Sequence, residues 1–153
     1  MKKELPLSYL RRKIGDLKKR GKKIVFTNGC FDIFHPGHLK IIQKAKAKGD
    51  ILVVGLNSDS SVRKLKGPGR PILNQESRAK ILEAMEAVNY IVIFNEKTPY
   101  KTLKALKPHV LVKGGDWPTS QIVGKDIVDE VYRVKLVPGQ STTSIIEKIR
   151  KNA

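Results

Sequence analysis

Short runs of aliphatic residues alternate along the chain with segments whose apolar residues recur at helical spacing. The aliphatic runs predict five buried β-strands, at residues 23–27, 51–56, 90–94, 110–113 and 131–137. The spaced segments predict helices at residues 5–20, 37–48, 75–87, 98–106 and 141–150. Because strands and helices alternate, right-handed crossovers should produce a Rossmann-like α/β fold, with a parallel five-stranded sheet and helices on both faces.

The length and composition indicate one folded unit without a membrane segment. At 153 residues the chain can bury one core but not two substantial ones, so we expect a single domain over residues 1–153. Its N-terminal part, residues 5–20, should be an amphipathic helix. No apolar stretch approaches the roughly 18 residues that a bilayer requires. The lone cysteine, Cys30, cannot form an internal disulfide, which fits a reducing compartment, and we therefore expect a cytoplasmic protein.

The chain has a large excess of positive charge, with 31 Lys and Arg against 14 Asp and Glu and a net charge of +17. Such a field attracts anions, either nucleic acid or small phosphorylated molecules. Nucleic-acid-binding surfaces often combine cations with aromatic residues that stack on bases, but here the lysines are spread out and aromatic residues are scarce. We therefore expect small-molecule ligands, and a basic nucleic-acid-binding module is the alternative from another class.

The most informative segment, TNGCFDIFHPGH at residues 27–38, follows the first predicted strand. Ligands of open parallel sheets bind outside the carboxyl ends of the strands, which is where this segment should lie. The Pro-Gly pair predicts the start of a helix, whose N-terminal amide groups attract anions. His35 and His38 would add imidazole donors to the same anion. A metal site that includes Cys30 and Asp32 is less favoured, because the spacing does not match a four-ligand zinc site.

A cluster of hydroxyl residues, GQSTTS at residues 139–144, follows the last predicted strand. It predicts a second helix start, where hydroxyl and N–H groups can bind phosphate. Taken alone, the cluster is also typical of an ordinary helix cap, with Ser144 and Glu147 forming a capping box. The two interpretations are compatible.

A basic segment, VRKLKGPGRPI at residues 62–72, carries several cations around two glycines and a proline. It predicts a mobile loop that closes over anionic ligands. A solvated basic loop without a ligand is the alternative.

These segments resemble the HxGH nucleotidyltransferase superfamily, whose signature is similar to GCFDIFHPGH. Four further stretches, in matching order, resemble the D-glycero-β-D-manno-heptose 1-phosphate adenylyltransferases of that superfamily: GLNSDSSVRKLKG, RPILNQESRAKIL, VLVKGGDW and GQSTTSII. The resemblance begins near residue 22 and continues to the C-terminus. It implies the HxGH nucleotidyltransferase fold and the transfer of AMP from ATP to heptose 1-phosphate. The products would be pyrophosphate and ADP-heptose, a precursor of lipopolysaccharide.

The resemblance also implies roles for individual residues. The catalytic residues would be His35, His38 and Lys66. The nucleotide would be bound by Cys30, Phe31, Gly37, Gly115, Asp116, Gly139, Ser141, Thr142 and Thr143. The acceptor substrate would be bound by Asp32, Lys64 and Arg78. Which of the two lysines contacts phosphate stays open.

The expected partners are ATP and a sugar phosphate, and a homodimer is compatible with the sequence. No acidic cluster indicates a metal site, so Mg²⁺ should bind through the phosphates of ATP. The alternative within the same class is a cytidylyltransferase that acts on glycerol 3-phosphate or a related alcohol phosphate, because it shares the HxGH and STT motifs. The stretch GKDIVDEVYRVKLV departs from the heptose enzymes, in which paired glycines are frequent before the last strand.

Overall fold

The computed structural model describes residues 2–153, in which six α-helices and five β-strands alternate. The strands are β1 (Ile24–Gly29), β2 (Ile51–Asn57), β3 (Tyr90–Phe94), β4 (Val110–Gly114) and β5 (Glu130–Val134). The helices are α1 (Leu7–Lys19), α2 (Pro36–Lys46), α3 (Asp59–Lys66), α4 (Gln75–Glu83), α5 (Tyr100–Leu106) and α6 (Thr142–Lys151). A short 3-10 helix spans Thr119–Gln121. No helix among residues 2–153 is long and apolar enough to cross a bilayer.

All four strand pairings are parallel, and the order in the sheet is β3-β2-β1-β4-β5. The chain therefore builds outward from β1 to β3 and then returns to the other side of β1 with β4. The direction of winding reverses between β1 and β4, and helices that follow the two strands leave a crevice there. The predicted Rossmann-like α/β fold is confirmed.

Two hydrophobic cores cover the two faces of the sheet, because successive strand side chains point to opposite sides. Val25, Leu52 and Val54 pack with α2 and α4 on one face. Phe26 and Val53 face the other side, where α1 and α5 pack. These buried strands explain why the aliphatic runs in the sequence are nearly continuous.

Three elements differ from the prediction. Helix α4 ends at Glu83 rather than at residue 87. The last strand ends at Val134 rather than at residue 137, and most of its side chains are exposed. Helix α3 occupies part of the segment predicted as a basic loop. It begins where the Ser58 hydroxyl accepts a hydrogen bond from the Ser61 amide, and it carries the lysines of that segment.

Candidate active site

The candidate site lies at the carboxyl ends of β1 and β4, where the winding of the sheet reverses. Residues 30–35, called the histidine loop, connect β1 to α2. The segment that follows β5 enters α6. The sequence-predicted histidine and hydroxyl motifs therefore meet at one edge of the sheet, although more than 100 residues separate them in the chain.

The two imidazoles cap the N-terminus of α2 and lie against each other. The His35 Nδ1 atom accepts a hydrogen bond from the Gly37 amide at 3.1 Å, and the His38 Nδ1 atom accepts one from the His35 amide at 3.4 Å. The ring centroids are 3.7 Å apart with an interplanar angle of 25°. Because each Nδ1 atom accepts a hydrogen bond, each neutral imidazole carries its own proton on Nε2. Both rings line the same cavity, so the Nε2–H groups are available donors for a ligand.

Burial keeps these imidazoles neutral in the free protein. It lowers the pKa of His35, and it lowers the pKa of His38 to about 4, with His35 and Lys66 contributing further repulsion of a proton. Two neutral donors stacked at one helix N-terminus suit the binding of phosphate oxygens at neutral pH.

We expect the His38 imidazole to titrate with a pKa of about 4 in the free protein, against an ordinary value of 6.5. The unfolded chain then binds more protons than the folded one between these two pH values. The contribution of His38 to stability is therefore present above pH 6.5 and is lost as the pH falls toward 4. NMR titration of the imidazole C–H resonances measures this pKa, and a His38→Asn variant assigns the resonance. A midpoint at or above 6.5 would show that the ring is not desolvated.

The hydroxyl cluster both caps α6 and binds it to the histidine loop. The Ser141 hydroxyl accepts a hydrogen bond from the Ser144 amide, and the two residues form a capping box. The box predicted for Ser144 and Glu147 is wrong, because the helix begins three residues earlier. The Thr142 hydroxyl donates to the Asp32 carbonyl oxygen at 2.7 Å, so it holds the loop. The first amide groups of α6 have no intrahelical acceptor.

The N-termini of α2 and α6 approach so closely that only glycine fits between them. A Cβ atom added to Gly37 would lie 3.1 Å from the Gln140 carbonyl oxygen and 2.8 Å from Cε1 of the His35 ring. The absence of a side chain at this position therefore brings the two anion-binding helix ends together.

Replacing Gly37 with alanine should weaken ATP binding about 5- to 150-fold, because the added methyl group forces the helix ends or the His35 ring apart. Strain of this kind costs about 1–3 kcal/mol. Quenching of the fluorescence of Trp117, the only tryptophan, measures the affinity. The matched control is Gly15→Ala in α1, which meets no atom within 4 Å and should stabilise the protein by about 0.5–1 kcal/mol. Equal ATP affinity in the two variants would contradict this account of Gly37.

The loop between β1 and α2 is strained. Phe31 and Ile33 adopt left-handed backbone conformations with φ of 49° and 46°, which are rare for residues other than glycine and especially for a β-branched one. Between them, the buried Asp32 carboxylate accepts hydrogen bonds from the Ile72 and Leu73 amides at 2.7 and 2.9 Å. Its carboxylate therefore fixes the strained loop against the segment before α4. Binding of the acceptor by Asp32 stays a prediction.

The Arg78 side chain is fully buried. Its guanidinium donates to the carbonyl oxygens of Leu73, Cys30 and Asn57, and it forms an ion pair with Asp59 at 2.8 Å. Arg78 thereby joins the ends of β1 and β2 to the starts of α3 and α4. Binding of the acceptor by Arg78 stays a prediction.

Two adjoining cavities open at the crevice between β1 and β4. The smaller, of about 290 Å³, lies between the starts of α2 and α6 and is lined by both histidines and the hydroxyl cluster. The larger, of about 560 Å³, lies beside α3 and is lined by apolar residues together with amides and lysines. Residues lining both cavities are Asn28, Lys66, Lys113 and Trp117. The site therefore has two compartments with a shared boundary.

The two lysines of α3 differ in their position relative to the cavities. The sequence did not decide which of them contacts phosphate. Lys66 lines both cavities, whereas the Lys64 ammonium lies 3.5 Å from the Asn95 carbonyl oxygen and lines neither cavity of the described chain. Cys30 lines the larger cavity only, and burial raises the pKa of its thiol, which keeps it protonated. Phe31 packs its ring 5.3 Å from that of His38 rather than lining either cavity.

The sequence interpretation missed two boundary residues, Asn28 and Lys113. Each of them directly follows the part of its strand that is paired between β1 and β4. The valine-rich sequence around the strand ends did not indicate a binding role for either residue. Gly114 and Trp117 line the smaller cavity, while Gly115, Asp116 and Gly139 lie beside the cavities and not on their walls within residues 2–153. Nucleotide contacts by these last three residues stay a prediction.

The alternative of a metal site formed by the histidines with Cys30 and Asp32 has no supporting cluster in the described residues. Among residues 2–153 no group of three His, Cys, Asp or Glu side chains could hold a metal ion. Near the histidines, the Asp32 carboxylate is already used by backbone amides.

The sequence profile described as cytidylyltransferase-like matches residues 26–153, which include both motifs and nearly the whole sheet. The chain belongs to this cytidylyltransferase-like family. The membership confirms the resemblance to nucleotidyltransferases that the histidine and hydroxyl motifs indicated. The name of the family describes the reaction class and leaves the nucleotide to be determined.

Individual relatives of this cytidylyltransferase-like chain are longer proteins. Bifunctional protein HldE of Aliarcobacter butzleri is 58% identical over 136 residues, which are 89% of this chain and 29% of the relative. The protein of the same name from Wolinella succinogenes is 56% identical over 133 residues, 87% of this chain and 28% of the relative. The chain thus spans less than a third of the length of these relatives.

Two solved structures share the fold of this family member. The lipopolysaccharide core biosynthesis protein from Thermoplasma volcanium GSS1 has a TM-score of 0.65 and 28% identity, over 76% of this chain and 99% of that one. The pantoate-beta-alanine ligase from Francisella tularensis has a TM-score of 0.68 and 16% identity, over 97% of this chain and 73% of that one. The second similarity shows the fold alone.

Proposed function

We propose that the chain transfers AMP from ATP to D-glycero-β-D-manno-heptose 1-phosphate, giving ADP-heptose and pyrophosphate. The observation that carries the proposal is the pair of adjoining cavities, because a transfer between two substrates needs two compartments that meet at the reacting atoms. The four stretches that resemble heptose 1-phosphate adenylyltransferases, and the identity of 56–58% to bifunctional HldE proteins, support the choice of substrates.

ATP would occupy the smaller cavity, with its phosphates between the starts of α2 and α6. The Nε2–H groups of His35 and His38 would donate to phosphate oxygens, and the first amide groups of α6 would add further donors. The nucleoside would lie against Gly114 and Trp117, which line the same cavity. No carboxylate lines this cavity in the described chain, so Mg²⁺ would enter bound to the phosphates of ATP. There it would neutralise part of their charge.

The sugar phosphate would occupy the larger cavity. Asn57, Thr98 and Gln121 line it and can exchange hydrogen bonds with sugar hydroxyls. Its phosphate would point toward the boundary, where Lys66 lies. An oxygen of that phosphate would attack the α-phosphorus of ATP in line with the departing pyrophosphate. No protein group forms a covalent intermediate, so positioning and charge neutralisation would provide the catalysis.

One assay tests the substrates. The protein is incubated with ATP or CTP, each with heptose 1-phosphate or glycerol 3-phosphate, and pyrophosphate release is measured with the nucleotide-sugar product identified by mass. We expect turnover with ATP and heptose 1-phosphate. Turnover with only CTP and glycerol 3-phosphate would favour the cytidylyltransferase alternative, which the family name makes the second candidate.

The assembly and the nucleic-acid alternative are tested separately. We also propose that the protein is a homodimer and that it is cytoplasmic. Analytical ultracentrifugation measures the oligomeric state. Tight oligonucleotide binding that falls steeply with salt, without nucleotide turnover, would instead indicate a nucleic-acid-binding module.

A further inference from the structure

Lys113 lies at the point where the sheet splits to form the site. The pairing of β1 with β4 ends at Thr27 and Val112, where the threonine hydroxyl donates to the valine carbonyl oxygen at 2.8 Å. Beyond this pair, β1 continues beside β2 and β4 continues beside β5. Asn28 and Lys113 are the next residues on the two separating strands, so they form the floor of the crevice.

The same lysine lines both cavities. In the proposed reaction one substrate occupies each cavity, and the bond between them forms at the shared boundary. Any side chain on that boundary therefore lies near the reacting phosphates. Lys66 reaches the boundary from α3, and Lys113 reaches it from β4, so the two amines approach from different elements.

The Lys113 amine lacks a protein counterion. Within residues 2–153 no carboxylate lies within 4 Å of its ammonium group, and no protein acceptor binds it. Most other lysines of this chain are exposed, where water solvates an unpaired ammonium, but Lys113 is only partly exposed. Burial accordingly lowers its pKa. A partly buried cation without a partner costs free energy that a bound anion would offset.

Lys113 and Lys66 also act on the same small region. Both amines lower the pKa of the Cys30 thiol, against the larger effect of burial, and Cys30 lines the larger cavity. Two cations thus converge on the cavity assigned to the acceptor, at its boundary with the ATP cavity.

We propose that Lys113 is a catalytic residue that binds the phosphate of the acceptor as it meets the α-phosphate of ATP. This inference rests on the proposed function. Two negatively charged phosphate groups repel each other on approach, and the ammonium would offset that repulsion. An acceptor oxygen forms a new bond to the α-phosphorus, the bond from the α-phosphorus to the oxygen of the β-phosphate breaks, and pyrophosphate leaves with that electron pair. No proton needs to be transferred.

The test replaces Lys113 with methionine, which keeps an unbranched side chain and removes the charge. We expect kcat/KM for the acceptor to fall roughly 100- to 1,000-fold, as on removal of one charge-stabilising donor. The dissociation constant for ATP, measured by Trp117 fluorescence, should change by less than about threefold, since the main phosphate donors stay in place. Lys113→Arg should recover part of the activity, because it restores the charge with a different shape. The control is Lys101→Met, an exposed lysine of α5 outside both cavities, which should match the wild type.

Wild-type kcat/KM in Lys113→Met would overturn the inference, and so would a loss confined to ATP affinity. If the methionine variant does not fold, as judged by circular dichroism, Lys113→Gln decides by the same criteria. The wild type is assayed first. If it uses only another nucleotide and acceptor, the proposed substrates are wrong, and the role of Lys113 is tested with that pair.

Discussion

Replacing His38 with asparagine should lower kcat for adenylyl transfer roughly 100- to 1,000-fold while the thermal midpoint changes by only a few degrees. The asparagine oxygen can replace Nδ1 as acceptor for the His35 amide, so the cap of α2 is retained. What is lost is the Nε2–H donor that faces the cavity. A donor directed at charge that develops in the transition state typically contributes about this factor. Pyrophosphate release measures kcat, and circular dichroism measures the midpoint.

Glutamine at the same position is the matched comparison. Its amide nitrogen can lie near the position of Nε2, so His38→Gln should retain more activity than His38→Asn although it fits the cap less well. Equal losses in the two variants would show that the ring acts through its shape. Wild-type turnover in the asparagine variant would remove His38 from the catalytic machinery.

Much of the fold could be predicted because its strands are buried on both faces. A strand between two layers of helices must be aliphatic throughout, and such runs are visible in the sequence. Strand β5 is largely exposed and was predicted too long. Helix α3 was missed because it is short and largely polar, so the spacing of apolar residues gave little signal.

The convergence of the histidine and hydroxyl motifs could also be predicted, because parallel topology places all the strand carboxyl ends at one edge. The functions of individual charged residues could not. Arg78 looks in the sequence like an exposed helix residue, since its four acceptors come from three separate segments. Lys113 looks like an ordinary strand end, because only the separation of β1 from β4 exposes it to both cavities.

Replacing Arg78 with methionine should cost about 3–5 kcal/mol of unfolding free energy, because three acceptors lose their donor and each such loss costs about 1–3 kcal/mol. Methionine fills much of the volume but leaves the carbonyl oxygens of Cys30, Asn57 and Leu73 without this donor. Most of the loss should come from these carbonyl groups, because Asp59 is partly exposed and water can solvate its carboxylate. Urea denaturation measures the change.

The matched control is Lys80→Met on the same helix, where the side chain is exposed and the expected change is below about 0.5 kcal/mol. Arg78→Lys should recover little stability, because one ammonium cannot reach four acceptors in three segments. If the methionine variant folds, it should also raise KM for the acceptor, since Cys30 and Asn57 line the larger cavity and lose their common anchor. A stability within about 1 kcal/mol of the wild type would mean that the three segments hold one another in place without the arginine.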